Sequence, residues 1–243
     1  ADFMLVAMDQ IVNQMNKVCY MSGGQKNVPM VIRTTIGAGR AAAAQHSQSL
    51  LAPIAHFPGA KIVIPSDAYT AKGLLKSAIR DNNPVIVVEH RKQFSMEYDM
   101  PDDADENLLI PIGKSAVVYE GTDVTVVASA YQVGQCVNVA KHLEKKGISV
   151  EVIDLRTLVP LDKETIVKSV KKTGRLLIVD EGYESFGVAA EITAAIEKDV
   201  FYDLDMPISR LAAPDVPIPF SPALEKLIVP TEKTILNAIK ELV

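Results

Sequence analysis

Apolar residues near the start of the chain, Phe3, Leu5, Met8, Ile11, Val12, Met15 and Cys19, recur at steps of three and four, which predicts a helix over residues 1–20 with one apolar face. The Ser22-Gly23-Gly24 triplet breaks that period, and the apolar run at 28–34 suits a buried strand. A further run at 60–64 predicts another strand. Ser66 is placed to cap the following helix, whose apolar face is Leu74, Leu75, Ala78 and Ile79, and Pro84 opens a strand at 85–88. Strand, helix, strand in that order implies parallel pairing through a right-handed crossover.

From 91 to 121 the pattern lapses. The stretch 100–106 is acidic and aperiodic, and Pro111 and Gly113 punctuate the residues after it. The chain therefore divides into a first unit at 1–112, with a linker from about 91, and a second unit at 113–243. The second unit alternates again, with strands at 124–129, 149–154 and 175–180. Between them lie a helix at 133–146, with Val133, Cys136, Val137, Ala140 and Leu143 inward, and a helix capped by Asp162 and closed by Lys171, Lys172 and Gly174. A helix at 188–198, a strand near Ile208, a turn through Pro214, Pro217, Pro219 and Pro222, and a last helix from Thr231 complete an α/β chain without internal repeats.

Composition adds exclusions. With 243 residues, 48% of them hydrophobic and 23% charged, the chain can build one large or two medium cores. A net charge of -5 and a pI near 5.4 leave no basic field to gather nucleic acid or an anionic membrane surface. No apolar run reaches the roughly 20 residues needed to span a bilayer. Cys19 and Cys136 sit inside apolar helical patterns and read as small buried hydrophobes in a reducing compartment, the cytoplasm or a matrix space. Because the chain opens on Ala1 in a helix already under way, further residues upstream are expected.

Isolated chemistry is sparse: phosphate-loop, dinucleotide, nucleophile-elbow and H-E-x-x-H signatures are all missing. Gly37-Ala38-Gly39 reads as a tight turn or a ligand loop. His46, in Gln45-His46-Ser47-Gln48, follows a strand and a glycine turn, where an open parallel sheet places ligands, and can exchange a proton near neutrality; a structural hydrogen-bonding role is the alternative. His56, His90 and His142 have no such setting. Asp81 and Asn83 mark a helix-to-strand turn, and a carboxylate beside exposed helix-end carbonyls could also hold a hard cation.

Several stretches occur together: Ala1-Asp2-Phe3, Asp9-Gln10-Ile11, Ser22-Gly23-Gly24-Gln25, Ala44-Gln45-His46-Ser47-Gln48, Ala71-Lys72-Gly73-Leu74-Leu75, the EVIDLRTL run at 151–158 and Lys172-Thr173-Gly174-Arg175-Leu176. In that order they resemble the beta subunit of the thiamine-diphosphate-dependent component of pyruvate, branched-chain 2-oxoacid and acetoin dehydrogenases, over essentially the whole chain. The run at 33–39 looks most like the acetoin branch.

The resemblance implies a pyrimidine-binding domain of transketolase type, only its C-terminal part being present, followed by a transketolase C-terminal-type α/β domain. It implies an assembly of two alpha and two beta subunits that engages a lipoyl acyltransferase core. Thiamine diphosphate would lie between the alpha and beta chains, with its Mg2+ on the alpha side. Phe3 falls where the family packs an aromatic ring on the aminopyrimidine. His46 falls on the histidine that handles protons while an acyl group passes to a lipoyl thiol. Met30, Ala78, Ile79, Asp81 and Asn83 match a structural K+ site built largely of carbonyls. Family members begin about one βαβ unit earlier, and that unit carries the glutamate that activates the cofactor; nothing in this sequence replaces it. Two other readings share parts of the pattern: a non-catalytic module docking the acyltransferase core, and a transketolase or deoxyxylulose-phosphate synthase fragment. The AQHSQ segment argues against the last.

Overall fold

In a computed structural model, residues 1–101 and 105–243 are described. The chain opens on a helical stretch of mixed geometry, a 3-10 segment at Asp2–Ala7, a π segment at Gln10–Met15 and α1 (Val18–Met21). The predicted single helix with a buried face is therefore corrected. Only Ile11 and Met15 of its apolar set are buried, Phe3 and Leu5 are exposed, and Cys19 is only partly covered. Apolar side chains on more than one face, Val6 among them, leave no single orientation that buries them all.

Next come β1 (Val31–Ile36), α2 (Leu51–His56), β2 (Lys61–Val63), α3 (Ala68–Ile79) and β3 (Val85–His90), then a 3-10 turn at Arg91–Ser95. β3 lies between β1 and β2 and pairs parallel with both, so all six of its residues are buried, as its continuous apolar run requires. α3 is capped by Asp67, not by Ser66. The Asp67 carboxylate accepts the Thr70 amide while the Thr70 hydroxyl answers the Asp67 amide. Ser66 instead gives its hydroxyl to Asp154. Leu74 and Ala78 of the predicted α3 face are buried, Leu75 is half-buried, and Ile79 points outward. α2 has no capping hydrogen bond at its N-terminus and carries Pro53, which explains why no helix signal stood out there.

The second half runs β4 (Ala116–Tyr119), β5 (Val124–Ala128), α4 (Tyr131–Glu144), β6 (Val150–Asp154), β7 (Thr157–Val159), α5 (Lys163–Thr173), β8 (Leu176–Tyr183), α6 (Val188–Val200), β9 (Ser209–Ala213), α7 (Pro222–Ile228) and α8 (Glu232–Lys240). Its sheet has the order β4-β6-β5-β8-β9, parallel except for β4 at the edge. β4 falls inside the 91–121 stretch where the sequence pattern lapses; its four residues are only partly covered or exposed, so no buried run marked it. α7 falls inside the expected proline-rich turn, with Pro222 in the first helical turn, where its missing N–H leaves no hydrogen bond broken. Asp162 caps α5 through the Thr165 amide, and Gly174 ends it in the left-handed conformation, as expected. Of the acidic run, residues 102–104 lie outside the described residues.

The EVIDLRTL run belongs to both sheets. β6 occupies the second sheet, the chain turns at Arg156 with φ 54°, and β7 then pairs antiparallel with β2 as the fourth strand of the first sheet. One core joins the two: Ile62, Ile86 and Val88 from the first sheet pack in the same cluster as Ile153, Ile178 and Ile196. A second core lies between the sheet and α4 and α8, through Cys136, Leu143, Ile235 and Ile239. Full burial of each such aliphatic side chain contributes about 1.5–3 kcal/mol.

Candidate functional site

The first 3-10 segment and the loop after β1 meet. The Phe3 and His46 rings touch edge to face, with centroids 5.3 Å apart and planes at 72°. Their approach is fixed from below by Asp2, which is buried and whose Oδ1 accepts the Gln48 backbone amide at 3.2 Å and the Gln48 side-chain amide at 3.1 Å. The Ala1 nitrogen donates to the Thr35 carbonyl near the end of β1. Phe3 is 65% exposed and His46 is exposed too, so an open aromatic face stands beside a solvent-facing imidazole. Two hydroxyls that follow His46 in the loop, Ser47 Oγ and Ser49 Oγ, are buried without a hydrogen-bond partner among the described residues.

The loop leaves β1 through a turn held by the second unit. Gly37, Gly39, Ala41 and Ala43 all have positive φ, at 110°, 91°, 52° and 61°. Within it the Ala38 amide donates to Glu181 Oε1 at 2.6 Å, the Gly39 amide to Glu225 Oε1 at 2.6 Å and the Ala41 amide to Glu225 Oε2 at 3.0 Å. Glycine is needed at 37 because a Cβ there would overlap the His90 imidazole. The Gly37-Ala38-Gly39 turn thus receives two carboxylates of its own chain.

His90, for which the sequence shows no ligand setting, is the most enclosed histidine of the molecule, only 1% exposed. Its Nδ1 accepts the Lys92 amide at 3.2 Å, which leaves the Nε2 proton directed at Glu181, 2.9 Å from Oε2 and 3.1 Å from Oε1. The ring stacks on Tyr131 at 5.2 Å, and Lys92 Nζ lies 4.7 Å from the Tyr131 ring centroid. Burial alone would raise the Glu181 pKa; His90, the Ala38 amide and Gln132 overcome it and hold the carboxyl below its ordinary value. The available signal was position, since His90 and Glu181 lie at or near the C-terminal ends of parallel strands β3 and β8.

Of the expected cation ligands, Ala78, Ile79, Asp81 and Asn83 lie between the end of α3 and the start of β3, and Met30 precedes β1. The Met30 carbonyl accepts the Val85 amide at 3.0 Å, the Ala78 carbonyl accepts the Asp81 amide at 3.2 Å, and Asp81 Oδ1 accepts both the backbone and side-chain amides of Asn83 at 2.9 Å. The Ile79 side chain stands apart, in solvent. Lys61 Nζ pairs with Asp81 Oδ2. Burial would raise the Asp81 pKa, but Lys61 and Asn83 bring it below the usual carboxylate value. Among the described residues no cluster of three or more His, Cys, Asp or Glu could hold a metal ion, and no helix is long and apolar enough to cross a membrane.

This architecture is that of the transketolase-type domains: residues 1–96 match the family "Transketolase, pyrimidine binding domain" and residues 113–235 match "Transketolase, C-terminal domain". A solved structure described as "Split gene transketolase, inactive beta4 tetramer" superimposes with a TM-score of 0.76 over 99% of this chain and 73% of that one, at 24% identity, which bears on the fold alone. Pyruvate dehydrogenase E1 component subunit beta of Bos taurus is 47% identical over 242 residues, 99% of this chain and 67% of that protein. The acetoin:2,6-dichlorophenolindophenol oxidoreductase beta subunits of Cupriavidus necator and Bacillus subtilis are each 44% identical, over 99% of this chain and 70% of theirs. The chain belongs to the family of beta subunits of pyruvate and acetoin dehydrogenases, and spans roughly two thirds to seven tenths of the length of these relatives.

Proposed function

We propose that this chain works with an alpha subunit and a second beta subunit in a thiamine-diphosphate-dependent 2-oxoacid or acetoin dehydrogenase, decarboxylating or cleaving its substrate and passing the acyl group to a lipoyl domain of an acyltransferase core. The contact between Phe3 and His46 carries the reading, since it sets an open aromatic face beside a group able to move a proton. Thiamine diphosphate, when bound, supplies the electron sink for breaking the bond beside the substrate carbonyl. The exposed face of Phe3 suits an aminopyrimidine ring. The diphosphate and its Mg2+ belong to the alpha subunit in this reading. His46, at the mouth of the site, gives a proton to the sulfur released when the lipoyl disulfide opens and its other sulfur takes the acyl group, the disulfide being the oxidant. Asp81, Asn83 and the carbonyls of Met30, Ala78 and Ile79 hold a K+ ion that stiffens the α3-to-β3 corner. The cytoplasm, or the mitochondrial matrix, is the compartment this reading implies.

The test is His46→Ala in the assembled enzyme. Lipoyl-dependent turnover should fall about 10²–10⁴-fold, the span of one general acid–base group. Thiamine diphosphate affinity should change little. Unchanged turnover would overturn the assignment.

A further inference from the structure

We infer that Glu181 and Glu225, both in the second α/β unit, are positioning residues for His46, and that they act by filling an anion-binding turn at residues 37–43. The inference rests on the role of His46 proposed above, and its geometry stands without that role.

The turn alternates in an uncommon way. Gly37, Gly39, Ala41 and Ala43 take left-handed or related positive-φ conformations, two of them at alanine, where a side chain disfavours that backbone. Successive amides in such a conformation converge into a concave nest of N–H groups, which elsewhere binds phosphates and other anions. Here the anions are carboxylates delivered from β8 and α7. The two groups depend on each other. Glu225 is only 2% exposed and, among the described residues, has no ion-pair partner, so the amides of Gly39 and Ala41 supply its compensation. Without the carboxylates, the amides of 38, 39 and 41 would lose their acceptors and the strained alanines would lose what holds them.

α7 supports the same reading by its orientation. Within α7, Leu224 and Leu227 are exposed, while Glu225 turns inward beside the partly buried Ile228. Two of its leucines are left to solvent, and the acid is placed against the turn. From Ala41 the chain reaches His46 in five residues, and the His46 amide donates to the Ala43 carbonyl at 3.3 Å. A change at the nest therefore reaches the imidazole through a short, hydrogen-bonded segment. Glu181 adds the buried His90 and Gln132 to the same anchor, the Gln132 side-chain amide donating at 3.1 Å.

The experiment uses the assembled dehydrogenase with Glu225→Gln, and Glu225→Asp should the first variant not fold. Glutamine keeps the size but sets an NH2 group against a backbone N–H. Diethylpyrocarbonate labelling, resolved by mass spectrometry, reports the environment of His46 with exposed His142 as internal reference. Labelling of His46 relative to His142 should change about fivefold or more, and lipoyl-dependent turnover should fall at least about tenfold, with thiamine diphosphate affinity within about twofold. Ala41→Gly added to Glu225→Gln should restore both readouts in part, because glycine takes the left-handed conformation without an anchor; a merely structural carboxylate would not be rescued this way. Unaltered His46 labelling in a folded variant overturns the inference, whatever the turnover. Altered labelling with wild-type turnover upholds the positioning and removes His46 from the chemistry, so the two readings fail separately.

Discussion

Removing the charge of Asp154 should flatten the pH dependence of stability. Asp154 ends β6 fully buried, takes the Ser66 hydroxyl on Oδ2 and the Arg156 amide on Oδ1 at 3.1 Å, and has Arg156 Nε 3.5 Å from Oδ2. Burial dominates, and although Ser66 and Arg156 pull the other way, the carboxyl is pushed up from 3.8 to about 6. A displacement of about two pH units is worth about 3 kcal/mol. The folded value lies above the unfolded one, so the stability tied to the protonated form is complete below about pH 4 and lost as pH rises through about 6. About 1 kcal/mol is already gone at pH 4.5, leaving about 2 kcal/mol to be lost by pH 7.5. Asp154→Asn keeps the shape without the titration. Urea unfolding of both chains at pH 4.5, 5.5, 6.5 and 7.5 gives the difference, which cancels the carboxylates that titrate alike in each. The variant should gain about 2 kcal/mol on the wild type across that range. A flat difference, or one of opposite sign, would refute the burial argument.

Gly37→Ala should destabilise by about 2–5 kcal/mol, combining backbone strain and overpacking, because the imidazole it would strike is held by Glu181 and Tyr131; a thermal midpoint near wild type would show that His90 can move aside. With Lys61 already on one oxygen of Asp81, a K+ ion must rest mostly on carbonyls, and the thermal midpoint should be higher in potassium than in sodium or choline salts at equal ionic strength, a difference that Asp81→Asn should reduce. The 243-residue chain alone should show no thiamine-dependent decarboxylation and should bind the cofactor more weakly than millimolar, since stacking on Phe3 contributes only about 0.5–1.5 kcal/mol beyond burial and a millimolar constant needs about 4 kcal/mol. Calorimetric titration checks it, and micromolar binding by a monomer would show the site to be misplaced.

What could be read from sequence divides along a physical line. Elements that bury a continuous or periodic apolar set announced themselves: β3, β5, β6, the caps of α5 and α8, and the inward face of α4. Elements whose position is fixed by something outside their own residues did not. β4 is an edge strand with little burial, and the N-terminal helical stretch carries apolar side chains on faces this chain leaves open. The candidate site obeys the same division. Phe3 came from resemblance and His46 also from its place after a strand and a glycine turn, but nothing local shows that residues 43 apart in sequence touch. The carboxylates behind them were harder still, because Glu225 lies in a proline-rich stretch and meets Gly39 across 186 positions. Pairing a buried acid with backbone amides leaves no trace in residue type: the turn shows only Gly and Ala, and the acid resembles any surface glutamate. The trace lies instead in the mismatch around it, where an exposed Phe220, Leu224 and Leu227 flank an acid that has gone inside. A helix that leaves two leucines to solvent while its acid goes inside is constrained by what that acid must hold, and in this chain that is the turn leading to His46.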